Sequence, residues 1–175
     1  GSSALKLRVR RHPAQTPAGL GDQRVALCRE SQADDRRIAI RRGVAQALDR
    51  LLLAQNRWLQ ANGGGQPLLT TVSALVMRGR RFTLAHVGDC RVYRWHADSL
   101  QRISNDHVWE QPGMQHVLKR ALGLDQHLVL DFLDGELRAG ECFVLLSDGV
   151  WSTLGDTAIA TILRDQPDLQ SAANT

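Results

Sequence analysis

Between Thr71 and Ile103 the chain presents four strand-like segments joined by turns too short for any crossover, so neighbouring strands must run antiparallel. Thr71–Met77 is rich in β-branched and apolar residues. Gly79 sits in the turn that follows, and Phe82–Val87 is the second segment. Gly88-Asp89 turns the chain again, Cys90–Trp95 alternates apolar with basic residues, and Leu100–Ile103 follows a turn at His96–Ser99. The spacing predicts an antiparallel meander. Further on, Leu128–Leu133 reads as a strand closed by an Asp134-Gly135 turn. Cys142–Leu146 is apolar throughout, the pattern of a strand buried on both faces.

Helical spacing flanks these strands. Val44, Ala47, Leu48, Leu51, Leu52, Ala54, Gln55, Trp58 and Leu59 recur at intervals of three and four, which predicts one broad apolar stripe. Asn62-Gly63-Gly64-Gly65 ends that helix, because glycine takes the left-handed cap conformation without steric cost, and Pro67 forbids its continuation. Pro112–Leu122 resumes helical spacing, and Thr157–Leu163 reads as a last helix with Asp156 at its N-cap. Residues 1–42 form a basic N-terminal segment of irregular or reworked strands, at Leu5–Val9, Val25–Leu27 and Ile38–Ile40; residues 43–175 form the main domain.

Composition narrows the classes. Aromatic residues make up only 5% of a chain that is 43% hydrophobic, so the core must rest on aliphatic side chains. Three cysteines, Cys28, Cys90 and Cys142, form no C-x-x-C pair, which argues against a disulfide frame or a zinc site. No apolar run reaches the roughly 18 residues of a membrane span. Residues 1–50 carry 11 basic against 5 acidic residues, a net +6, which leaves −2 for the rest. No nucleic-acid motif or interleaved aromatic accompanies that basic end, and a solvated face is the expected reading, with no nucleic-acid partner. The expectation is a bacterial cytoplasmic protein.

The chemistry gathers at strand ends. An apolar strand running into Ser147-Asp148-Gly149 fixes a carboxylate at its exposed end, where glycine lets a ligand approach the backbone. Asp89 follows Leu84–Val87 through Gly88 in the same way, and Asp106-His107 closes a third segment. These aspartates converge only if their strands are neighbours.

The segments in order resemble the metal-dependent protein phosphatases of the PPM, or serine/threonine phosphatase 2C, type. Thr70-Thr71-Val72 is similar to their "GTT" strand, and His86-Val87-Gly88-Asp89-Cys90-Arg91-Val92-Tyr93 to "HVGDSR-Y", with cysteine in place of serine. Ile103–His107 resembles "LT-DH", Arg120-Ala121-Leu122-Gly123 resembles "R-LG", and Leu145–Trp151 resembles "L-SDGLW". The Trp58–Ala61 and Val108–Gly113 stretches are also similar to the phosphatase part of bacterial phosphatase–kinase fusion proteins.

The resemblance implies an α–β–β–α sandwich of two antiparallel sheets flanked by helices, incomplete in this chain. It implies a hydrolase that uses Mg²⁺ or Mn²⁺ to attack phosphoserine or phosphothreonine with metal-activated water. Its substrate would be a phosphoprotein, and a fused or cognate serine/threonine kinase would be a partner. By position Asp148 and the Gly149 backbone match a core metal site, and Asp89 a further, weaker one. No catalytic or substrate-binding residue is assigned.

The chain also departs from the pattern. The acid expected four residues after Asp148 is Ser152. No Asn-Glu-Asp triplet occurs near the first strands, where Gly21-Asp22-Gln23-Arg24 is the nearest match, and Arg41-Arg42-Gly43 stands where an Asp-Gly belongs. A degenerate, non-catalytic module that binds or regulates a kinase or phosphoprotein is therefore the alternative reading. Asp89 has a plainer one as a turn cap paired with Arg91. His86, Asp106, His107 and Arg120 read chiefly as structural, and Arg8, Arg10 and Arg11 as a solvated strand edge.

Overall fold

A computed structural model describes residues 23–64, 66–114, 116–166 and 168–174, with side chains from residue 43 onward. The expected strand at Leu5–Val9, with Arg8, Arg10 and Arg11, lies outside the described residues, as does the Gly21-Asp22 pair.

Helix α1 spans Gln23–Asn62. It contains no proline and one glycine, Gly43, so nothing in that stretch stops a helix. The strands expected at Val25–Leu27 and Ile38–Ile40 are therefore corrected to helix. The buried row of α1 is also narrower than its apolar stripe. Leu52 and Asn56 are buried, whereas Leu51 and Trp58 are more than half exposed, at 56% and 57%.

Six strands follow: β1 Val72–Arg78, β2 Arg81–Val87, β3 Arg91–His96, β4 Ser99–Arg102, β5 Asp131–Glu136 and β6 Cys142–Leu146. They form two three-stranded antiparallel sheets, ordered β1-β2-β5 and β4-β3-β6. The boundaries expected for the first four strands hold, but a single meander does not. Instead β2 and β3 belong to different sheets, and the chain crosses between them at Gly88–Cys90. Gly88 makes that corner with φ +110°, and a Cβ there would lie 2.3 Å from the Thr71 side chain.

Two further expectations change. Asp134 and Gly135 do not turn; they pair with Thr83 and Phe82 inside β5, where a Cβ on Gly135 would strike the Phe82 ring. The described residues between 112 and 122 are not helical either. Val108 bridges Leu118, Thr70 bridges Leu122, and the Lys119 and Arg120 amides donate to the His107 carbonyl, so this backbone is already committed elsewhere.

Helix α2 covers Asp148–Asp165 and breaks at Gly155, where φ is +73°, and a short helix α3 follows at Leu169–Asn174. Because Gly155 is non-helical (φ +73°, ψ 160°), α2 is two helical pieces joined at a kink, and the second begins just past Gly155, where the sequence placed the start of its last helix.

The layers follow from strand alternation. Ala85 and Val87 face α1 and join Leu52 and Leu122 in one core. Phe82, Leu137 and Phe143 fill the space between the sheets, with the Phe82 and Phe143 rings edge to face at 4.9 Å. Tyr93, Val144 and Leu146 face α2 and pack on Ile159. The architecture is an α–β–β–α sandwich built on two three-stranded sheets.

Candidate functional site

The β3–β6 ladder sets the site. Its register pairs Arg91 with Leu146 and Val92 with Leu145. The ladder ends there, and the chain continues on one side to Asp89 and on the other to Asp148, close enough for the Asp148 charge to act on Asp89. One carboxylate sits on the corner between the sheets and the other on the first turn of α2. Neither position was obvious while β2 and β6 were read as separate strands, because it is β3 that brings their ends together.

Three hydrogen bonds hold the corner. The Gly88 amide donates to His107 Nδ1 at 3.1 Å, and the His107 amide donates to the Gly88 carbonyl at 2.8 Å. The Trp151 indole Nε1–H donates to the Asp89 carbonyl at 2.9 Å. Asp148 Oδ1 accepts the Gly149 amide at 2.8 Å, while the Gly149 carbonyl accepts the Thr153 hydroxyl. A carboxylate on the first turn is favoured by the partial positive charge at a helix N-terminus. Burial, followed by the negative charge of Asp148, pushes the Asp89 carboxyl above its ordinary value.

Around this pair the other charges are already matched. Arg91 does not pair with Asp89. It grips Asp106 with Nε and Nη2, the latter at 2.8 Å, and lies 3.5 Å from the centre of the Trp151 ring. Arg102 reaches the same Asp106 carboxylate, and the Tyr93 hydroxyl donates to Asp156 at 2.7 Å.

His86 and His107 are buried with ring centres 5.0 Å apart. His86 Nε2–H donates to the Asn105 carbonyl, which leaves Nδ1 to accept from Ser73. Burial, reinforced by His107, lowers the His86 pKa. Because His107 Nδ1 accepts from Gly88, its Nε2 carries the proton and donates to Asp131 at 3.0 Å. Arg120 bonds the other Asp131 oxygen at 2.8 Å, so Arg120 organises this loop. Burial alone would raise the Asp131 carboxyl, but His107 and Arg120 outweigh it and lower it. Cys90, half-buried, shares a 3.1 Å hydrogen bond with the Thr71 hydroxyl.

Two facing carboxylates are the hard oxygen donors that Mg²⁺ and Mn²⁺ prefer, and a single such ion commonly takes only one or two carboxylates, with water filling its other positions. The pair therefore fits one divalent ion. It does not fit a two-metal centre, because among the described residues no three His, Cys, Asp or Glu side chains gather in one place.

Three supporting residues were not singled out by sequence, and a fourth, Arg91, was expected on Asp89 and sits on Asp106. Trp151 lies inside a quoted motif, so only its role was missed. Asp131 had no local signal. Asn56 had one, as a polar residue in the buried phase of α1. It accepts the Gly123 amide at 2.6 Å and donates to the Asp125 carbonyl, clamping a turn where any Cβ on Gly123 would meet the Leu68 carbonyl oxygen.

No protein-family model matches the chain. It is 23% identical over 150 residues to the serine/threonine phosphatase stp of Listeria welshimeri, a match covering 77% of this chain and 58% of that protein. Among solved structures it is similar to PppA, a key regulatory component of T6SS in Pseudomonas aeruginosa, with TM-score 0.67 and 26% identity over 73% of this chain and 59% of PppA. It is likewise similar to the catalytic domain of the serine threonine protein phosphatase PstP in complex with 2 manganese ions, with TM-score 0.60 and 26% identity over 70% of this chain and 56% of that one. The chain thus spans a little under six-tenths of the curated relative it matches. With two antiparallel sheets, flanking helices and these matches in both sequence and structure, the chain is similar to the PPM-type serine/threonine phosphatases over part of their length.

Proposed function

We propose that the chain is part of a metal-dependent protein serine/threonine phosphatase whose substrates are phosphoproteins, a fused or cognate kinase being their source. The observation that carries this reading is the nearness of Asp89 and Asp148 beyond the end of the β3–β6 ladder, where the charge of one raises the carboxyl of the other. Asp89 and Asp148 would hold one Mg²⁺ or Mn²⁺. When bound, such an ion supplies charge to orient a phosphate and lowers the pKa of a coordinated water.

The chain's own residues do the rest by position. His107 and Trp151 aim the Asp89 corner, and Ser147 and Gly149 set the turn that carries Asp148. Neither buried histidine is free to serve as a general acid, since both ring nitrogens of each are engaged. The Gly149 backbone is a secondary ligand at best, its carbonyl being held by Thr153.

A second reading is favoured by one specific observation, the two-carboxylate donor set with Ser152 in place of a further acid. In that reading the domain binds a phosphoprotein or a kinase without hydrolysis. Hydrolysis of p-nitrophenyl phosphate with Mn²⁺, Mg²⁺ or EDTA, in the wild type and in Asp148→Asn, separates the two. Metal-dependent turnover lost in the variant supports the phosphatase; a folded wild type that binds a phosphopeptide but shows no turnover supports the binding module. Among the described residues no helix is long and apolar enough to cross a membrane.

A further inference from the structure

We propose that Trp151 is the positioning residue that locks Asp89 and Asp148 into one ligand pair, and that Arg91 is the clamp that fixes its ring. The proposal rests on the reading of Asp89 and Asp148 as an ion-binding pair. These two aspartates belong to elements with no covalent reason to move together, since 58 residues separate them in sequence. Trp151 supplies the link. It sits three residues after Asp148 on the first turn of α2, and its indole N–H reaches back across the corner to the Asp89 carbonyl at 2.9 Å. A shift of the α2 start therefore pulls on Asp89.

The ring itself is held on a second side. The Arg91 guanidinium lies 3.5 Å from its centre and is fixed in turn by two nitrogens on Asp106. The kink at Gly155 then lets Asp156 fold back to accept the Tyr93 hydroxyl, so α2 is pinned to β3 on both sides of its break. Between those pins the helix start has one hydrogen bond to the opposing carboxylate's own backbone, and Trp151 makes it. Phenylalanine at 151 would keep an aromatic ring beneath Arg91 and delete that bond, with a loss of packing area that the core control below gauges.

The test uses two readouts, the first independent of metal. Cys90 adjoins Asp89 and is half-buried, so its rate of reaction with an aromatic disulfide reports opening of the corner; Cys28→Ser removes the competing thiol, and Cys142 is buried. In EDTA, Trp151→Phe should raise that rate about fivefold, the factor that one ordinary hydrogen bond carries. Mn²⁺ affinity by titration calorimetry should fall by a similar factor. Ile159→Val, a truncation in the core of the same helix, serves as the control for general loss of stability. It should move neither readout more than about twofold once urea unfolding places both variants on one stability scale.

Equal effects from the two variants would overturn the proposal, since Trp151 would then only pack. Wild-type protein that takes up no Mn²⁺ would overturn the ion-pair reading, while the Cys90 rate would still show whether the indole holds the corner. Should Trp151→Phe fail to fold, Arg91→Lys keeps a charge for Asp106 but loses the planar stack on Trp151. A smaller change in the same direction at both readouts is then expected, and no change overturns the clamp.

Discussion

The two ends of the β3–β6 ladder carry charge in opposite ways. Where Trp95 meets Cys142, Arg94 pairs with Glu141, whose side chain is 1% exposed. Arg94 also donates to the Glu136 carbonyl and lies over the Phe82 and Phe143 rings, while Glu141 accepts the Arg138 amide. That end is closed and compensated. At the other end Asp89 faces Asp148, and the nearest arginine, Arg91, gives its guanidinium to Asp106. The same sheet that neutralises a buried glutamate therefore leaves two aspartates without a salt bridge among the described residues, Arg91 offsetting the charge of Asp89 only in part. Like charges held together by a fixed corner are a feature that a bound cation would complete.

The comparison breaks first at the closed end. Glu141→Ala leaves Arg94 without its counter-charge among aromatic rings, and removing one partner of a buried pair costs about 3–5 kcal/mol. Urea unfolding followed by circular dichroism should show that loss with the Asp89 corner otherwise unaltered. A cost under about 1 kcal/mol would mean that Arg94 escapes to solvent and the pair is a surface one.

The next largest effect lies at the open end. Gly88→Ala forces a side chain into φ +110° and against Thr71, and strain of this kind costs about 1–3 kcal/mol. Because the His107 and Trp151 bonds meet at this corner, the same change should also weaken Mn²⁺ uptake. Glu141→Ala should not, once its loss of stability is allowed for. If both variants weaken the metal alike, the two ends are not independent.

Charge neutralisation at the open end has a smaller effect. In EDTA, Asp148→Asn relieves a like charge but removes a carboxylate favoured at the helix start, so stability should stay within about 0.5 kcal/mol of the wild type. In Mn²⁺ the variant falls below the wild type, because a ligand that binds only the folded chain stabilises the wild type by mass action and the variant loses that gain. Destabilisation by Asp148→Asn beyond that range in both conditions would show that its carboxylate serves the turn at Gly149 and no cation.

Much of this layout was legible in the chain. The first four strands, the helix ending at Asn62 and the two candidate carboxylates all followed from alternation, glycine punctuation and the motifs. What sequence missed has a common cause. The meander reading failed because short turns dictate antiparallel succession but do not say whether the next strand pairs with the last; at Gly88 the answer depends on His107 and Thr71, which are distant in sequence. The helix read over 112–122 failed because its spacing is helical while its hydrogen-bonding groups are taken by Thr70 and His107. Triplets such as Val25–Leu27 and Ile38–Ile40 favour strands locally, yet a triplet without a partner has no ladder to join. Within the site, the candidate carboxylates were readable from strand ends, whereas the Trp151 bond to the Asp89 carbonyl and the Asp131 bond to His107 needed the tertiary structure.

The finest test of the open end is the acid limb of stability, where two aspartates flanking the same corner act in opposite directions. The Asp131 carboxyl is lowered in the folded state by His107 and Arg120, which outweigh burial, so the unfolded chain binds its proton more readily. Its contribution is present above the ordinary aspartate value and is lost as pH falls through the folded one. Asp89 is raised by burial and by Asp148, so the folded chain holds the extra proton. Its contribution is present at low pH and fades as pH climbs from the ordinary value, about 4, through the raised one. Urea midpoints measured in EDTA from acid upward should therefore rise with Asp131 and then dip with Asp89, the dip being about 0.3 kcal/mol for a partly exposed group. Asp89→Asn should erase the dip and keep the rise, and Asp131→Asn should do the reverse. A dip that survives Asp89→Asn would place the uncompensated charge elsewhere and remove the electrostatic case for a cation between Asp89 and Asp148.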